Sequence, residues 1–318
     1  MQEKSRILKK INNECFGGSE NQLRLLLKHL PDESFKDINL ILNNTSDTLI
    51  ENDKINILWM QHFVNQEEAK NLGNKKYVDK LNYIVFNSHW NFEKYQYQFK
   101  VPENKSLVIK NAIEKININK KPKDKISLIY HTTPWRGLKN LLKIYKNLNL
   151  ENVELNVCSS TIIYGKKFDN ILGKQYESIF EECKNTKNVN YLGFLDNKKI
   201  IEILKKTHIY SFPSIWPETS CISAIEAMAA GCEVVTTNLG ALYETCSPFG
   251  TLVSFDRNFD NLEKKYEEAL LNSINNFWSK ENQEKLKLQS EIINITYSWD
   301  IRSQEWKKFF DKARKLKK

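Results

Sequence analysis

Short apolar runs that alternate with amphipathic segments constrain the fold of this chain more than any other feature. The runs have the length and the branched or aromatic content of buried strands, and they lie at 38–42, 55–60, 83–86, 107–109, 126–130, 153–157, 189–192, 209–212, 234–236 and 251–254. Helical patterns fill the gaps at 20–30, 89–99, 137–148, 174–184, 197–206, 221–230 and 260–277. This alternation predicts an α/β protein with parallel sheets.

A lysine-rich polar bridge at 114–125 interrupts the alternation and predicts a linker between two domains. We expect two doubly wound, Rossmann-like domains that face each other across a cleft, at 1–118 and 119–290. Each would offer the carboxyl ends of its strands as a ligand site. We expect residues 291–318 to form a helical segment that returns to the first domain and packs against it.

Composition excludes several classes of protein. With 41% hydrophobic and 27% charged residues, the chain is typical of a globular protein. It has neither an apolar leader segment nor a run of the roughly 18 apolar residues that cross a membrane. The six cysteines lack metal-binding spacing, so we expect a reducing cytoplasm.

The net charge of +9 is concentrated at the carboxyl terminus, where seven Lys or Arg face two acids in the last 14 residues. The rest of the chain is nearly balanced, and we expect no nucleic-acid partner. This tail places Trp306, Phe309, Phe310, Ala313 and Leu316 at helical spacing. Its aromatic face either packs on the protein body or anchors the chain to anionic membrane lipid.

Several catalytic signatures are missing from the sequence. It contains no NTPase phosphate loop, no G-x-G-x-x-G, no H-E-x-x-H, no G-x-S-x-G and no D-x-D pair. NTPases, ordinary dehydrogenases, zinc proteases and serine hydrolases are therefore disfavoured. We expect no metal and no cofactor.

The stretch 209–238, IYSFPSIWPETSCISAIEAMAAGCEVVTTN, carries the most chemistry. It predicts a strand, a loop with Glu218, a helix with Glu226, and a second strand. A carboxylate at the turn can bind sugar hydroxyls, and one on the helix can accept hydrogen bonds from a ribose. The N–H groups that begin the helix can hold a diphosphate. Alternatively, Glu218 is a helix-start acid and Glu226 lies on a solvated face.

With these residues the chain resembles the GT-B fold glycosyltransferases of family 4, which are retaining and use nucleotide sugars. PETSCISAIEAMAAG is similar to that family's P-E-x-F-G-h-x-x-x-E-A-M-A-x-G signature. The resemblance implies that Glu218 is the catalytic carboxylate that positions the transferred sugar, and that Glu226 binds the ribose.

The same signature implies four further donor-binding residues. Backbone amides near Ile222 and Ser223 would hold the diphosphate. Ser220 and Cys221 stand where the family usually has Phe-Gly, which implies a sugar pocket of different shape.

The segment LIYHTTPWRGLKNLL resembles the family's G-R-x-x-x-x-K-G phosphate clamp. Arg136 stands in the place of the Lys, His131 stands where the family usually has Arg, and Thr132 follows in the same donor-binding segment. Arg136 keeps the charge in a planar fork. Otherwise Arg136 is a surface residue at a helix start and His131 a structural histidine.

In the first domain, we expect Phe16–Glu20 (FGGSE) to follow the first strand and to open a helix, and this segment resembles the family's Gly-rich loop. The resemblance implies that Gly17 and Gly18 let the backbone approach the donor phosphate. His62, at the end of INILWMQH, resembles the family's first-domain histidine, a catalytic residue that hydrogen-bonds the donor sugar. A satisfied core histidine is the alternative. The loop 238–244 resembles the family's G-x-x-E element near the donor.

Together these motifs imply a retaining, metal-independent glycosyltransferase. It would move a hexose from a nucleotide diphosphate sugar, with UDP-sugar favoured and GDP-mannose next, to a hydroxyl of a glycan or a lipid-linked sugar. A sugar-nucleotide epimerase of the same fold and a non-catalytic carbohydrate- or nucleotide-sugar-binding protein remain alternatives. We expect a cytoplasmic protein, with peripheral contact to anionic membrane through the basic helix as a further option.

Overall fold

A computed structural model describes residues 2–11 and 15–317 and divides the chain into two compact units. The first unit comprises Met1–Ala112 and Tyr297–Lys318, and the second comprises Ile113–Thr296. The predicted boundaries, after residues 118 and 290, both fall inside the second unit. Asn294 explains this difference, because its amide binds both the N–H and the C=O of Ile116, at 2.8 and 3.0 Å. The predicted linker therefore begins as part of the second unit.

The strands follow the predicted apolar runs closely. They are β1 Ile38–Leu42, β2 Ile55–Met60, β3 Tyr83–Phe86, β4 Ser106–Val108, β5 Ile126–Tyr130, β6 Val153–Val157, β7 Val189–Tyr191, β8 Ile209–Phe212, β9 Glu233–Thr237 and β10 Thr251–Val253. The α-helices are α1 Gln2–Leu8, α2 Gly18–His29, α3 Lys75–Lys80, α4 His89–Phe99, α5 Leu138–Leu148, α6 Lys166–Leu172, α7 Glu177–Asn185, α8 Asn197–Leu204, α9 Ile222–Ala229, α10 Leu242–Cys246, α11 Phe259–Asn276, α12 Lys280–Thr296 and α13 Trp299–Lys317.

The sheet of the first unit is parallel, and its strands follow chain order, β1-β2-β3-β4. Because parallel crossovers are right-handed, connections that all advance in one direction lie on one face of the sheet. That face packs against residues of α3 and α4, including Tyr77 and Tyr95. The opposite face would be bare without α1, α2 and α13, which cover it with Ile7, Leu26 and Trp306.

The carboxyl-terminal helix α13 buries its aromatic face in the core of the first unit. The ring of Trp306 packs edge to face on Trp59 with centroids 4.8 Å apart, and Phe310 packs on Phe35 at 5.6 Å. Leu316, at the end of the predicted apolar stripe, is 67% exposed. The exposed side of the helix is basic, with Lys307, Lys308, Lys312 and Lys315.

The second unit contains a six-stranded parallel sheet with the order β7-β6-β5-β8-β9-β10. The strand order reverses at the neighbouring strands β5 and β8, which pair through Leu128 and Ile209. Ligands of doubly wound proteins bind at the carboxyl ends of the strands at such a switch point. Two Rossmann-like parallel-sheet units confirm the predicted α/β class.

The prediction that Phe16–Glu20 follows a strand is wrong for the described residues. The element before this loop is the helix α1, and residues 12–14 lie outside the described part of the chain. The segment 2–8 is helical because Ile7 contributes to the core while its polar neighbours form ion pairs, such as Arg6 with Glu51 at 2.7 Å. None of the described helices is long and apolar enough to cross a membrane.

Candidate functional site

Two loops leave the switch point of the second unit, residues 131–137 after β5 and residues 213–221 after β8. Gly137, with φ of +134°, allows them to touch: a Cβ at this position would lie 2.3 Å from the carbonyl oxygen of Pro213. The N–H of Ile215 donates to the carbonyl of Arg136 at 3.1 Å. The backbone thus brings the predicted phosphate clamp against the predicted sugar-binding loop.

Arg136 and Glu218 form an ion pair across these loops. The Nη1 of Arg136 lies 2.8 Å from Oε1 and 3.1 Å from Oε2 of Glu218. Burial raises the pKa of Glu218, which is 5% exposed, and the charge of Arg136 opposes that rise. The Arg136 side chain is 25% exposed, so its fork can also meet an anion. The sequence predicted both residues but not their contact.

The loop 238–244 fixes the backbone of Glu218. Gly240 has φ of +73°, and a Cβ there would lie 2.4 Å from the carbonyl oxygen of Glu218. The same carbonyl accepts a hydrogen bond from the N–H of Ala241 at 2.6 Å. One turn later, the hydroxyl of Thr245 donates to the carbonyl of Ser220 at 2.5 Å. The sequence missed this positioning role, whose only signal was the glycine itself.

The amino terminus of α9 carries no side-chain cap. Cys221 precedes it in the left-handed region, with φ 61° and ψ 72°, a conformation that glycine adopts without strain. This geometry accounts for the glycine at the matching position of the family signature. First-turn N–H groups at Ile222 and Ser223 are suited to an anion. The Ser223 hydroxyl lies 2.9 Å from the hydroxyl of Tyr210, which holds it in place.

Burial also controls the protonation of two further groups. Glu226 is 7% exposed and accepts a hydrogen bond from Nδ2 of Asn197 at 3.0 Å. Burial raises the pKa of Glu226 to about 7, against the effect of Asn197. Burial likewise raises the pKa of the Cys221 thiol to about 12, so the thiol stays neutral. Asn197 begins α8, and no local pattern marked it in the sequence.

His131 does not supply the second cation of the clamp. It is buried, and its ring packs edge to face on Tyr210 with centroids 5.1 Å apart. Burial lowers the pKa of His131 to about 4, although a hydrogen bond to the Ser223 backbone opposes this shift. The imidazole is therefore neutral near pH 7, and Arg136 carries the positive charge of this segment. Thr132, next to His131, is half-buried.

The remaining predicted residues lie in the first unit. His62 follows β2, and its N–H donates to Oδ1 of Asn43 at 3.2 Å. Its carbonyl accepts hydrogen bonds from the Asn91 amide at 3.3 Å and the Tyr95 hydroxyl at 3.1 Å. This backbone is fixed, while the imidazole is 29% exposed and its Nδ1 lies 3.7 Å from a carboxylate oxygen of Glu68.

Gly17 and Gly18 form the start of α2. Gly17 is the N-cap residue, with φ of −61°, and no side chain caps the helix. Any residue can adopt this φ, so the backbone conformation does not require glycine here. The two glycines instead leave the start of α2 without side chains. Within residues 2–11 and 15–317, no group of three His, Cys, Asp or Glu side chains is placed to hold a metal ion.

Comparison with known proteins agrees with this architecture. The Glycosyl transferases group 1 family matches residues 109–290, more than half of the chain. Among curated proteins, none matches.

Among solved structures, a glycosyltransferase from Rickettsia africae is similar, with a TM-score of 0.68 and 14% identity over 96% of this chain and 84% of that one. HepE of Anabaena, solved with UDP and glucose, gives a TM-score of 0.65 and 14% identity over 94% and 84%. The pneumococcal O-GlcNAc transferase GtfA, solved with UDP and GlcNAc, gives 0.59 and 14% over 92% and 60%. These similarities confirm the predicted GT-B fold.

Proposed function

We propose the following activity for this chain, which belongs to the Glycosyl transferases group 1 family and is a glycosyltransferase. It is a retaining, metal-independent enzyme of family 4 that transfers a hexose from a UDP-sugar to a hydroxyl acceptor. The observation that carries this proposal is the group at the switch point of the second unit. It combines the guanidinium fork of Arg136, the buried carboxylate of Glu218 and the first-turn N–H groups of α9, which no side chain caps.

Each part of this group has a role in the proposed reaction. The leaving diphosphate gains negative charge as the sugar departs, and Arg136 with the amides of Ile222 and Ser223 stabilises it without a metal. Glu218 accepts hydrogen bonds from hydroxyls of the transferred sugar, and Glu226 accepts them from the ribose. On the resemblance of their motifs alone, His62, Gly17 and Gly18 are further donor-binding residues of this proposal.

A uridine donor is favoured because HepE and GtfA were solved with UDP. GDP-mannose is the next choice. The acceptor is a glycan or a lipid-linked sugar, and the proposed location is the cytoplasm. Peripheral contact with anionic membrane would be electrostatic, through Lys307, Lys308, Lys312 and Lys315, because the aromatic face of α13 lies inside the first unit.

A specific observation also favours a second candidate. Since His131 is neutral, the clamp has one cation fewer than the family pattern implies. A protein that binds nucleotide sugars without turning them over would tolerate this loss. A sugar-nucleotide epimerase of the same fold would convert the donor without an acceptor.

Release of the nucleoside diphosphate, UDP or GDP, from a panel of UDP- and GDP-sugars tests the proposal. We expect release from one UDP-sugar, a reduction of about a hundredfold in Glu218→Gln, and no change in Lys187→Ala. Lys187 is an exposed control that pairs with Glu151 at 2.9 Å. Binding without release, with mixed glycan acceptors present, would contradict the transferase and favour the binding protein. Conversion of the donor sugar to its epimer would favour the epimerase.

A further inference from the structure

The carboxyl end of α9 is bound by three polar side chains of α12. The Nε2 of Gln289 donates to the carbonyl of Met228 at 3.1 Å, and the Nδ2 of Asn294 donates to the carbonyl of Ala229, also at 3.1 Å. The Ala229 carbonyl accepts a further hydrogen bond from the hydroxyl of Ser290. Because the last carbonyls of a helix lack donors within it, these neutral side chains satisfy groups that would otherwise need water.

A lysine of the predicted linker binds the next carbonyl. The ammonium of Lys121 lies 3.1 Å from the carbonyl oxygen of Ala230, the C-cap residue of α9. The same ammonium lies 3.2 Å from the carbonyl oxygen of Leu204, the last residue of α8. One side chain of the second unit therefore caps the carboxyl ends of two helices.

Lys121 places a positive charge where neutral donors serve the neighbouring carbonyls. In the described part of the chain its ammonium contacts the two carbonyls and the thiol of Cys232, at 3.8 Å. Burial raises the pKa of this thiol, so the thiol does not neutralise the charge. Burial also lowers the pKa of Lys121, which shows that the position disfavours a cation. A neutral donor would avoid this penalty, so the charge itself requires an explanation.

The amino ends of the same two helices carry residues of the candidate site. The amino end of α9 has the uncapped N–H groups of Ile222 and Ser223. The helix α8 begins at Asn197, whose amide lies 3.0 Å from the carboxylate of Glu226. A cation at the carboxyl end of a helix interacts favourably with the helix dipole. Its own field also adds to the positive potential at the amino end, where an anion would bind.

We propose that Lys121 is a positioning residue for the nucleotide donor. Its ammonium holds the carboxyl ends of α8 and α9 and strengthens the binding of the diphosphate at their amino ends. The inference rests on the proposed function and adds a residue that acts through these helices. Each helix has eight residues and is about 12 Å long. At that distance and an effective dielectric constant of about 20, a unit charge changes the affinity for a singly charged anion by up to about tenfold.

Titrations of UDP and of uridine into the full chain test this inference, because uridine lacks the diphosphate. Lys121→Met removes the ammonium and keeps a long unbranched side chain. We expect this variant to bind UDP about fivefold more weakly than wild type and to bind uridine as wild type does. Calorimetry measures the affinity for UDP, and a titration followed by saturation-transfer NMR measures the affinity for uridine.

Two further variants separate the charge of Lys121 from its other properties. Lys120→Met is the matched control, because Lys120 is the exposed neighbour in the same segment and the change removes the same charge. It should bind UDP as wild type does. Lys121→Gln keeps a neutral donor for the carbonyls, and we expect it to lose as much UDP affinity as Lys121→Met. Circular dichroism melting verifies that each variant is folded.

The outcomes distinguish this inference from the proposed function. Wild-type affinity for UDP in folded Lys121→Met or Lys121→Gln would overturn the inference. Equal losses of affinity for UDP and uridine would also overturn it, because a merely structural role affects both ligands. Failure of the wild type to bind UDP would refute the proposed function itself.

Discussion

Among single residues, burial decides which charges the site can use. Arg136 and Glu218 illustrate this point, since Glu218 is almost fully buried and touches the guanidinium with both oxygens. A short motif predicts a donor-binding role for each residue. Their ion pair could not be predicted, because it depends on the close approach of two loops at Gly137.

We predict that Arg136→Ala destabilises the protein by about 3 to 5 kcal/mol, because it leaves the carboxylate of Glu218 buried without its partner. The double variant Arg136→Met with Glu218→Gln should recover most of this loss, since no buried charge remains. Urea denaturation of the single and double variants measures both effects. A double variant no more stable than Arg136→Ala would contradict this explanation.

The pKa of Glu226 gives a prediction with a definite pH window. Its folded-state pKa of about 7 exceeds the 4.5 of an ordinary Glu. The folded state therefore holds the proton more tightly, and ionisation reduces stability. This penalty is absent below pH 4.5, grows between pH 4.5 and 7, and is complete above pH 7.

Glu226→Gln removes the penalty. Relative to wild type, its free energy of unfolding should be higher at pH 8 than at pH 4 by about 3 kcal/mol, at 1.36 kcal/mol for each pKa unit. Urea denaturation at both pH values measures the difference. The same offset from wild type at pH 4 and pH 8 would mean that burial does not perturb Glu226.

At the scale of elements, apolar runs buried on both faces were predictable from the sequence. The strands at 38–42, 55–60 and 126–130 have the predicted bounds because nearly every residue in them is buried. The helices α1, α3 and α6 were not predicted, because each has seven residues or fewer and shows no clear apolar period. Asn197 was missed for a related reason, since its partner Glu226 lies on another helix.

The loop 238–244 yields a prediction about backbone approach. Gly240→Ala and Gly193→Ala both place a side chain at positive φ, +73° and +63° respectively. The Cβ at position 240 would meet the backbone of Glu218, whereas nothing lies within 4 Å of a Cβ at position 193. We expect Gly193→Ala to lose about 1 kcal/mol of stability from its left-handed conformation, and Gly240→Ala to lose at least twice that amount. Denaturation midpoints measure both losses. Equal losses would show that the contact with Glu218 is unimportant.

The helix α13 gives a second prediction at this scale. Trp306→Ala removes a fully buried ring from the sheet face of the first unit, and we expect a loss of about 3 to 5 kcal/mol. Leu316→Ala, on the same helix but 67% exposed, should change stability by less than about 0.5 kcal/mol. Thermal or urea unfolding compares the two. A stable Trp306→Ala variant would mean that α13 is dispensable for covering the sheet.

For the whole molecule, membership of the Glycosyl transferases group 1 family and the GT-B fold were predictable because their signals are motifs and alternation, which are local in the chain. The borders of the two units were not, since Asn294 and Ile116 meet from distant parts of the sequence. The order of the four strands in the first unit also has no local signal. This strand order explains why the first unit needs a helix from the carboxyl terminus, because the connections between the strands cover only one face of the sheet.

We infer that the second unit binds the diphosphate of a uridine donor at its switch point. Calorimetric titration of UDP into wild type, Arg136→Lys and the exposed control Lys187→Ala tests it most directly. We predict that Arg136→Lys, which keeps the charge but loses the planar fork, binds at least tenfold more weakly, a loss of about 1.4 kcal/mol. Lys187→Ala should bind as wild type does. Equal affinity in all three proteins, or no binding of UDP to wild type, would contradict the claim.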